Sequence, residues 1–398
     1  MNLLSSEIKD KVLASVMQQL EDHRSEIIAA NQEDLKAFDK DDQAMYDRLI
    51  ADNSKVSGMI QAIKEIKEKP DPLDHIKSEI TLENGLNIVN KAAPFGTIMI
   101  IYESRPDVTI EAAVLAFKAN NKILLKGGKE AIRTNEVLVK CWHNSLEAHG
   151  LDKDWVRLLK MSRTETQAFL KSPDVPIDLI VPRGGERLIA FVKEHANCPV
   201  LVSGRGNNFI YVAPSADWAQ SLKVIINAKT DKISACNALD KILIDKNIPD
   251  LADKLNELAE VLHSHKVELL VGRDVQQFLP EEALITDEEV WYEEFLALKA
   301  CVALVNDSKE AIEKINRFSG GHSSAIMTSD TDEAKAFMEQ VDSGAVYHNA
   351  STRFTDGGQM GVGAELAIST DKLHHRGPLG LEQLVTNKYY VFGSGQIR

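Results

Sequence analysis

The 398-residue chain predicts an α/β fold with two parallel-sheet domains and one projecting β-hairpin. Three observations predict it. From about residue 97 short apolar runs alternate with amphipathic stretches, the rhythm of a parallel sheet covered by helices. A second series of the same kind starts near residue 215. Between a charged helical arm and the first series, Asn84-Gly85 separates two strand-like pieces, a strong hairpin signal.

The helical arm comes first. Val12, Val16 and Leu20, with Leu13 and Met17 beside them, form one apolar stripe, and "MIQAIKEIKEKPDP" continues the pattern until Pro70 and Pro72 stop it. The hairpin in "SEITLENGLNIVNKAAPFG" cannot bury its own face, so it is expected to project and pair with another subunit. "TIMIIYE", "KILLK", "VRLLK" and "IDLIVP" are then strands, separated by the helices "DVTIEAAVLAFKA", "KEAIRTNEVLVKCWHNSLEAHG" and "RTETQAFLK", the last opened by a Ser162–Glu165 capping box. "GERLIAFVKEHA" is a helix, and "CPVLVS" and "NFIYVAP" are further strands of this first sheet. The second unit has strands at "KILID", "VELLV", "CVALVN", "SAIMT" and "AVYHN". The closing "NKYYVFGSGQIR" is one more strand.

Apolar residues make up 44% and charged residues 27%, as in a folded globular protein rather than a disordered one. The net charge of −14 argues against nucleic acid, which needs a basic face; an anionic ligand would need a local basic pocket. "NLLSSEIKDK" lacks the pattern of a secretory leader, and no apolar run approaches the length of a membrane span. A cytoplasmic location is therefore expected, and the Asn349-Ala350-Ser351 triplet is not expected to carry a glycan. Cys141, Cys198, Cys236 and Cys301 are far apart and show no CxxC, as in reduced cytosolic thiols. His263 with His265, and His374 with His375, have no acidic partner at metal-site spacing, so no metal is expected.

No GxGxxG or GxxxxGK[ST] loop is present; "GRGNNF" and "GVGAEL" both fail at the third glycine. Two basic glycine turns stand at strand ends instead. In "LLKGGKEA", Lys126 ends a strand, Gly127 and Gly128 leave the backbone open, and Lys129 starts a helix. In "VPRGGERL", Pro182 and Arg183 precede Gly184 and Gly185. Such turns suit an anion, and also suit a plain strand–helix connection with solvated side chains. Cys236, in "TDKISACNALDKILI", lies outside any apolar run, between Ala235 and Asn237. Lys229 and Lys232 are close in sequence and would favour a thiolate; a small core cysteine is the alternative.

Taken together, "APFGTIMIIYESRPDVTIEA", "LLKGGKEA", "PRGGERL", "SACNALDKILI", "AVYHNASTRFTDGGQMGVGAELAIST" and "RGPLGLEQL" resemble the gamma-glutamyl phosphate reductases, a branch of the aldehyde dehydrogenase superfamily, over nearly the whole chain. The resemblance implies an aldehyde dehydrogenase-like fold. Residues 1–73 and 93–214 would form a nucleotide-binding domain and 215–355 a catalytic domain. Residues 356–383 would return to the first, and 74–92 with 384–398 would form an oligomerisation flap.

It also implies NADPH-dependent reduction of L-glutamyl 5-phosphate to glutamate 5-semialdehyde in proline biosynthesis, through a thioester on Cys236. Amides at Cys236 and Asn237 would steady the oxyanion, and Ser104 falls where relatives carry an asparagine donor. The hydrolytic members' glutamate base has no counterpart, since no Asp or Glu occurs between Glu194 and Asp217. Lys126, Gly127, Gly128, Lys129, Pro182, Arg183, Gly184, Gly185 and Glu293 would hold the cofactor. Lys129 stands where an acidic residue would repel a ribose 2′-phosphate, which favours NADPH by charge. Arg105 would take the substrate phosphate, and Asn349, Ser351, Thr352 and Arg353 the amino-acid end; internal salt bridges are the alternative for both arginines. A homo-oligomer is implied, and functional coupling to glutamate kinase is conceivable. The rival readings are an acylating or hydrolytic enzyme on this fold, and a non-catalytic binding protein.

Overall fold

The computed structural model describes residues 3–38 and 43–398. The chain forms two compact units. Unit 1 comprises Met1–Val202, Gly361–Ala367 and Pro378–Arg398; unit 2 comprises Ser203–Met360 and Ile368–Gly377.

In unit 1 the helical arm contains Ser6–Asp22 and Asn53–Glu68, capped by the side chains of Ser5 and Asp52. Their apolar stripes, Val12, Leu13, Val16 and Leu20 on one and Val56, Met59 and Ile63 on the other, enter one core. The second helix ends at Glu68, just before Pro70 removes a donor and blocks the next turn. The hairpin pairs β1 (Ile76–Thr81) antiparallel with β2 (Asn87–Pro94). Gly85 takes the positive φ of +83° that its turn requires.

Next come β3 (Thr97–Tyr102), β4 (Lys122–Lys126), β5 (Val156–Leu158) and β6 (Leu179–Arg183), parallel strands in the order β5-β4-β3-β6. Both faces are buried. Ile98 and Ile100 pack with Phe117 and Trp142 on one side, and Met99 and Ile101 with Phe169 and Val192 on the other. This explains why these strands read as continuous apolar runs rather than alternating ones.

Unit 2 contains β7 (Asn208–Val212), β8 (Leu239–Asp245), β9 (Glu268–Val271), β10 (Ala283–Leu284), β11 (Lys299–Val305), β12 (Ser323–Met327) and β13 (Ala345–His348). They form one parallel sheet in the order β10-β9-β11-β8-β7-β12-β13. β14 (Ile368–Ser369) and β15 (Gly377–Pro378) are two-residue strands, and β16 (Val385–Phe392) pairs antiparallel with β2 in unit 1.

Two boundaries differ from the sequence reading. That reading ended the first domain at residue 214, but β7 is buried throughout and lies between β8 and β12, so unit 2 starts at Ser203. The "CPVLVS" stretch contributes only a single bridge from Val200 to Ile180. The expected return segment is also divided, since Ile368–Gly377 belongs to unit 2.

Candidate active site

In unit 2, Cys236 lies on a turn between the helix Trp218–Thr230 and β8, at the amino end of the sheet. The turn is closed by Ala238 N donating to Ala235 O at 3.0 Å. Cys236 is half-buried. Its three counterparts are poor nucleophiles. Burial pushes the Cys141 and Cys301 thiols up to about 12 and raises that of Cys198.

Lys229 does not serve the thiol. It is buried in an ion pair with Asp240 at 2.8 Å, which corrects the expectation drawn from its closeness in sequence. Asp240 Oδ2 also accepts from Phe295 N at 3.0 Å, and Lys241 Nζ donates to Glu293 O at 2.8 Å while lying 3.9 Å from the centre of the Phe295 ring. Burial lowers the pKa of Lys241. The segment carrying Glu293 is thus fixed from inside the sheet, and the Glu293 side chain itself is exposed.

The loop after β13 folds back onto the cysteine turn. Thr352 Oγ1 donates to Asn237 O at 2.8 Å, and Asn237 Nδ2 donates to Arg353 O at 3.1 Å and Thr355 O at 2.9 Å. Both N–H groups of the Asn237 carboxamide are therefore spent on the backbone. Its side chain is a strap, not an oxyanion donor. Ser351 Oγ accepts from Arg353 N, and Thr352 is fully buried, so neither hydroxyl is set out for a ligand. Asn349 is a further correction. Its φ is +52°, its carboxamide is bonded to both the N–H and the carbonyl of Thr328, and it sits at the carboxyl end of β13, the opposite end of the sheet from Cys236. Arg353 is different. Its Nε pairs with Asp231 at 3.0 Å, while its Nη1 is buried with no hydrogen-bond partner. An unpaired guanidinium N–H is costly to bury and is available to an anion.

Four residues of this site escaped the sequence reading. Gly206 and Asn208 contact the Cys236 backbone, Thr355 receives Asn237, and Lys241 holds Glu293 O. In "GRGNNF" the signal for the first two is the pair of adjacent asparagines at the start of a buried strand. A cavity in unit 2, of about 600 Å³, is lined by Arg273, Asp287, Trp291, Lys314 and Phe318 among others. It shares none of these groups.

In unit 1 the two basic glycine turns do follow strand carboxyl ends, at β4 and β6. Side chains of the chain itself, however, already crowd most of their glycines. A Cβ on Gly127 would lie 2.6 Å from Asn135 Nδ2, one on Gly128 2.5 Å from Glu130 Oε2, and one on Gly184 2.7 Å from the Glu103 carboxyl carbon; only around Gly185 is the space open. Lys126 turns back to its own turn, donating to Gly127 O at 2.8 Å; burial lowers its pKa, with Glu130 opposing. Lys129 is exposed. Pro182 is buried in β6, and Arg183 Nη1 is spent on the carbonyls of Glu365 and Leu366 at 2.9 and 2.6 Å. Ser104 is buried and donates to Glu130 Oε2 at 3.4 Å.

Arg105 precedes the helix Pro106–Lys118 and pairs with Asp107 at 2.9 Å, as does Lys55 at 3.1 Å. Burial works against the Asp107 charge, but Arg105 and then Lys55 outweigh it and hold the carboxyl at about 2. Arg105 keeps 35% of its side chain exposed.

The chain matches the model of the aldehyde dehydrogenase family over residues 2–273 and 283–365. It is 38% identical to a gamma-glutamyl phosphate reductase of Carboxydothermus hydrogenoformans, covering 99% of this chain and 95% of the relative. It is 40% identical to one from a Geobacter species, with 99% and 94% covered. Among solved structures, the gamma-glutamyl phosphate reductase of Thermotoga maritima superposes with a TM-score of 0.94 at 36% identity, covering 99% of this chain and 95% of that one. An acetylating aldehyde dehydrogenase from Geobacillus thermoglucosidasius shares the fold at a TM-score of 0.70 and 18% identity, with 99% and 93% covered.

Proposed function

The chain belongs to the gamma-glutamyl phosphate reductases of the aldehyde dehydrogenase family, and from that membership we propose that it reduces L-glutamyl 5-phosphate to glutamate 5-semialdehyde with NADPH, releasing phosphate in a step of proline biosynthesis. The observation that carries the reading is the strapping of Cys236. Three hydrogen bonds tie its neighbour Asn237 to the loop whose Arg353 keeps a buried, unpaired N–H.

Cys236, as thiolate, bonds to the acyl carbon. Backbone amides of the strapped turn steady the tetrahedral oxyanion. Ser104 is retained as a second donor from its place in the resemblance alone. The C–O bond to phosphate breaks, and phosphate, a good leaving group, needs little acid catalysis. The thioester left on Cys236 is shielded from hydrolysis by the lack of a carboxylate base in the 195–216 stretch. After reduction the C–S bond breaks, the aldehyde leaves and the thiolate is regenerated. Arg353 supplies positive charge for an anionic group of the substrate, and Arg105 keeps its phosphate role from the resemblance alone.

The unit 1 turns fit a dinucleotide on two grounds. Gly185 opens the ten-residue helix Glu186–His195 with free space at its Cβ position, and the exposed Lys129 offers charge to a 2′-phosphate. Lys129 and Gly185 would hold NADPH, which when bound supplies the hydride for the acyl carbon. The three-stranded sheet carries exposed Ile80, Tyr389, Val391 and Phe392, an apolar surface suited to a second subunit. No described helix is long and apolar enough to cross a membrane. The cytoplasm and coupling to glutamate kinase complete the proposed setting.

The reverse reaction tests the assignment. With glutamate 5-semialdehyde, NADP⁺ and phosphate, NADPH should form only when phosphate is present. Turnover without phosphate would instead support a hydrolytic aldehyde dehydrogenase.

A further inference from the structure

Gly206 and Asn208 stand just before and at the start of β7, outside the motifs that carried the family resemblance. Asn208 is fully buried. Its Nδ2 lies 2.8 Å from Cys236 O, 2.6 Å from Ala238 O and 2.8 Å from Gly206 O, and its Oδ1 accepts from Ser323 N at 3.1 Å. Thr352 takes the carbonyl in between, that of Asn237. Each of the three consecutive carbonyls, 236 to 238, therefore has a buried side-chain donor within hydrogen-bond distance, the two Asn208 N–H groups being shared among three carbonyls. Gly206 closes the other side. A Cβ there would lie 1.9 Å from Cys236 O and 2.6 Å from its Cα, so only glycine lets the two backbones approach.

We propose that Asn208, backed by Gly206, is a positioning residue for the nucleophile: it fixes the orientation of the peptide that follows Cys236, and with it the place of the thiol. The physical link is the rigid trans peptide. Its carbonyl and N–H point in opposite directions, so pinning Cys236 O to Asn208 also sets the direction of the Asn237 N–H. A turn free to rotate about this peptide would lose both the place of the sulfur and the aim of an oxyanion donor. The proposal rests on the reading of Cys236 as the nucleophile.

The test uses the full-length protein with Asn208→Ala, Asn208→Ser and Gly206→Ala. Three quantities are measured. They are the rate of Cys236 alkylation by iodoacetamide against pH, mapped by mass spectrometry; kcat and KM in the reverse reaction; and Tm. Asn208→Ala is expected to lower kcat by about 100-fold with KM changed less than about twofold, and to slow alkylation by about tenfold. Asn208→Ser, which keeps one donor, should recover part of both losses, and Gly206→Ala should move both in the same direction as Asn208→Ala. A purely structural asparagine would lower Tm and leave kcat and alkylation at wild-type values well below that temperature, which would overturn the proposal. Should Asn208→Ala fail to fold, the serine variant decides by the same readouts. Alkylation needs no substrate. If it slows as expected while the wild type shows no phosphate-dependent turnover, the clamp stands and the assigned reaction falls.

Discussion

The candidate sites of the two units lie at different ends of their own sheets, one at strand carboxyl ends and one at a strand amino end. In unit 1 the basic glycine turns follow the carboxyl ends of β4 and β6, where open α/β sheets ordinarily bind ligands. In unit 2 the cysteine sits at the amino end of β8, and segments from two distant parts of the chain fold over it. A strand-end turn is built from neighbouring residues. An amino-end site is built from residues 28 and 115 positions away in sequence, as the bonds Asn208–Cys236 and Thr352–Asn237 illustrate. Unit 2 should therefore respond to substitutions through its buried straps, and unit 1 through exposed charge.

The largest effect is expected where a buried strap of unit 2 is cut. Lys229→Met leaves Asp240 buried without its cation, and should cost about 3–5 kcal/mol. Chemical denaturation measures it, and a loss under about 1 kcal/mol would mean that water or another group already serves Asp240.

A second test sharpens the contrast through pH. His322 is fully buried at the start of β12, hydrogen-bonded to Ser323 Oγ at 2.7 Å, and burial lowers its pKa to about 4. The unfolded chain thus binds a proton near pH 6.5 that the folded chain refuses. The stability this residue supports is complete above pH 6.5 and is lost as pH falls toward about 4. Between pH 7 and pH 5 the loss should be on the order of 2 kcal/mol, and His322→Gln should flatten that part of the curve. An unchanged slope in the variant would assign the pH dependence to other groups.

The smallest effect is expected on the exposed turn of unit 1. Lys129→Glu should reduce the preference for NADPH over NADH by about five- to tenfold, with little change in Tm. A large stability loss there would erase the difference between the two units.

The same contrast explains what the sequence revealed. Strands with both faces buried, such as β3 and β8, were legible as apolar runs, and so were the caps at Ser162 and the hairpin at Gly85. β7 was visible as a strand but was assigned to the wrong sheet, because an apolar run does not say which sheet it joins. Cys236 stood out because its surroundings are polar. Asn349 and Thr352 read as substrate ligands because a sequence does not show that their polar atoms are bonded to the backbone of residues far along the chain. Nor does it show that Arg183 Nη1 is bonded to the carbonyls of Glu365 and Leu366.

The most direct test of the central claim is to trap the acyl-enzyme. Wild-type protein is incubated with glutamate 5-semialdehyde and NADP⁺ without phosphate, then quenched, digested and mapped by mass spectrometry. The account predicts a glutamyl thioester on the peptide containing Cys236, dependent on NADP⁺ and discharged by phosphate, and none in Cys236→Ala. An adduct on another residue, or phosphate-dependent turnover that survives in Cys236→Ala, would contradict it.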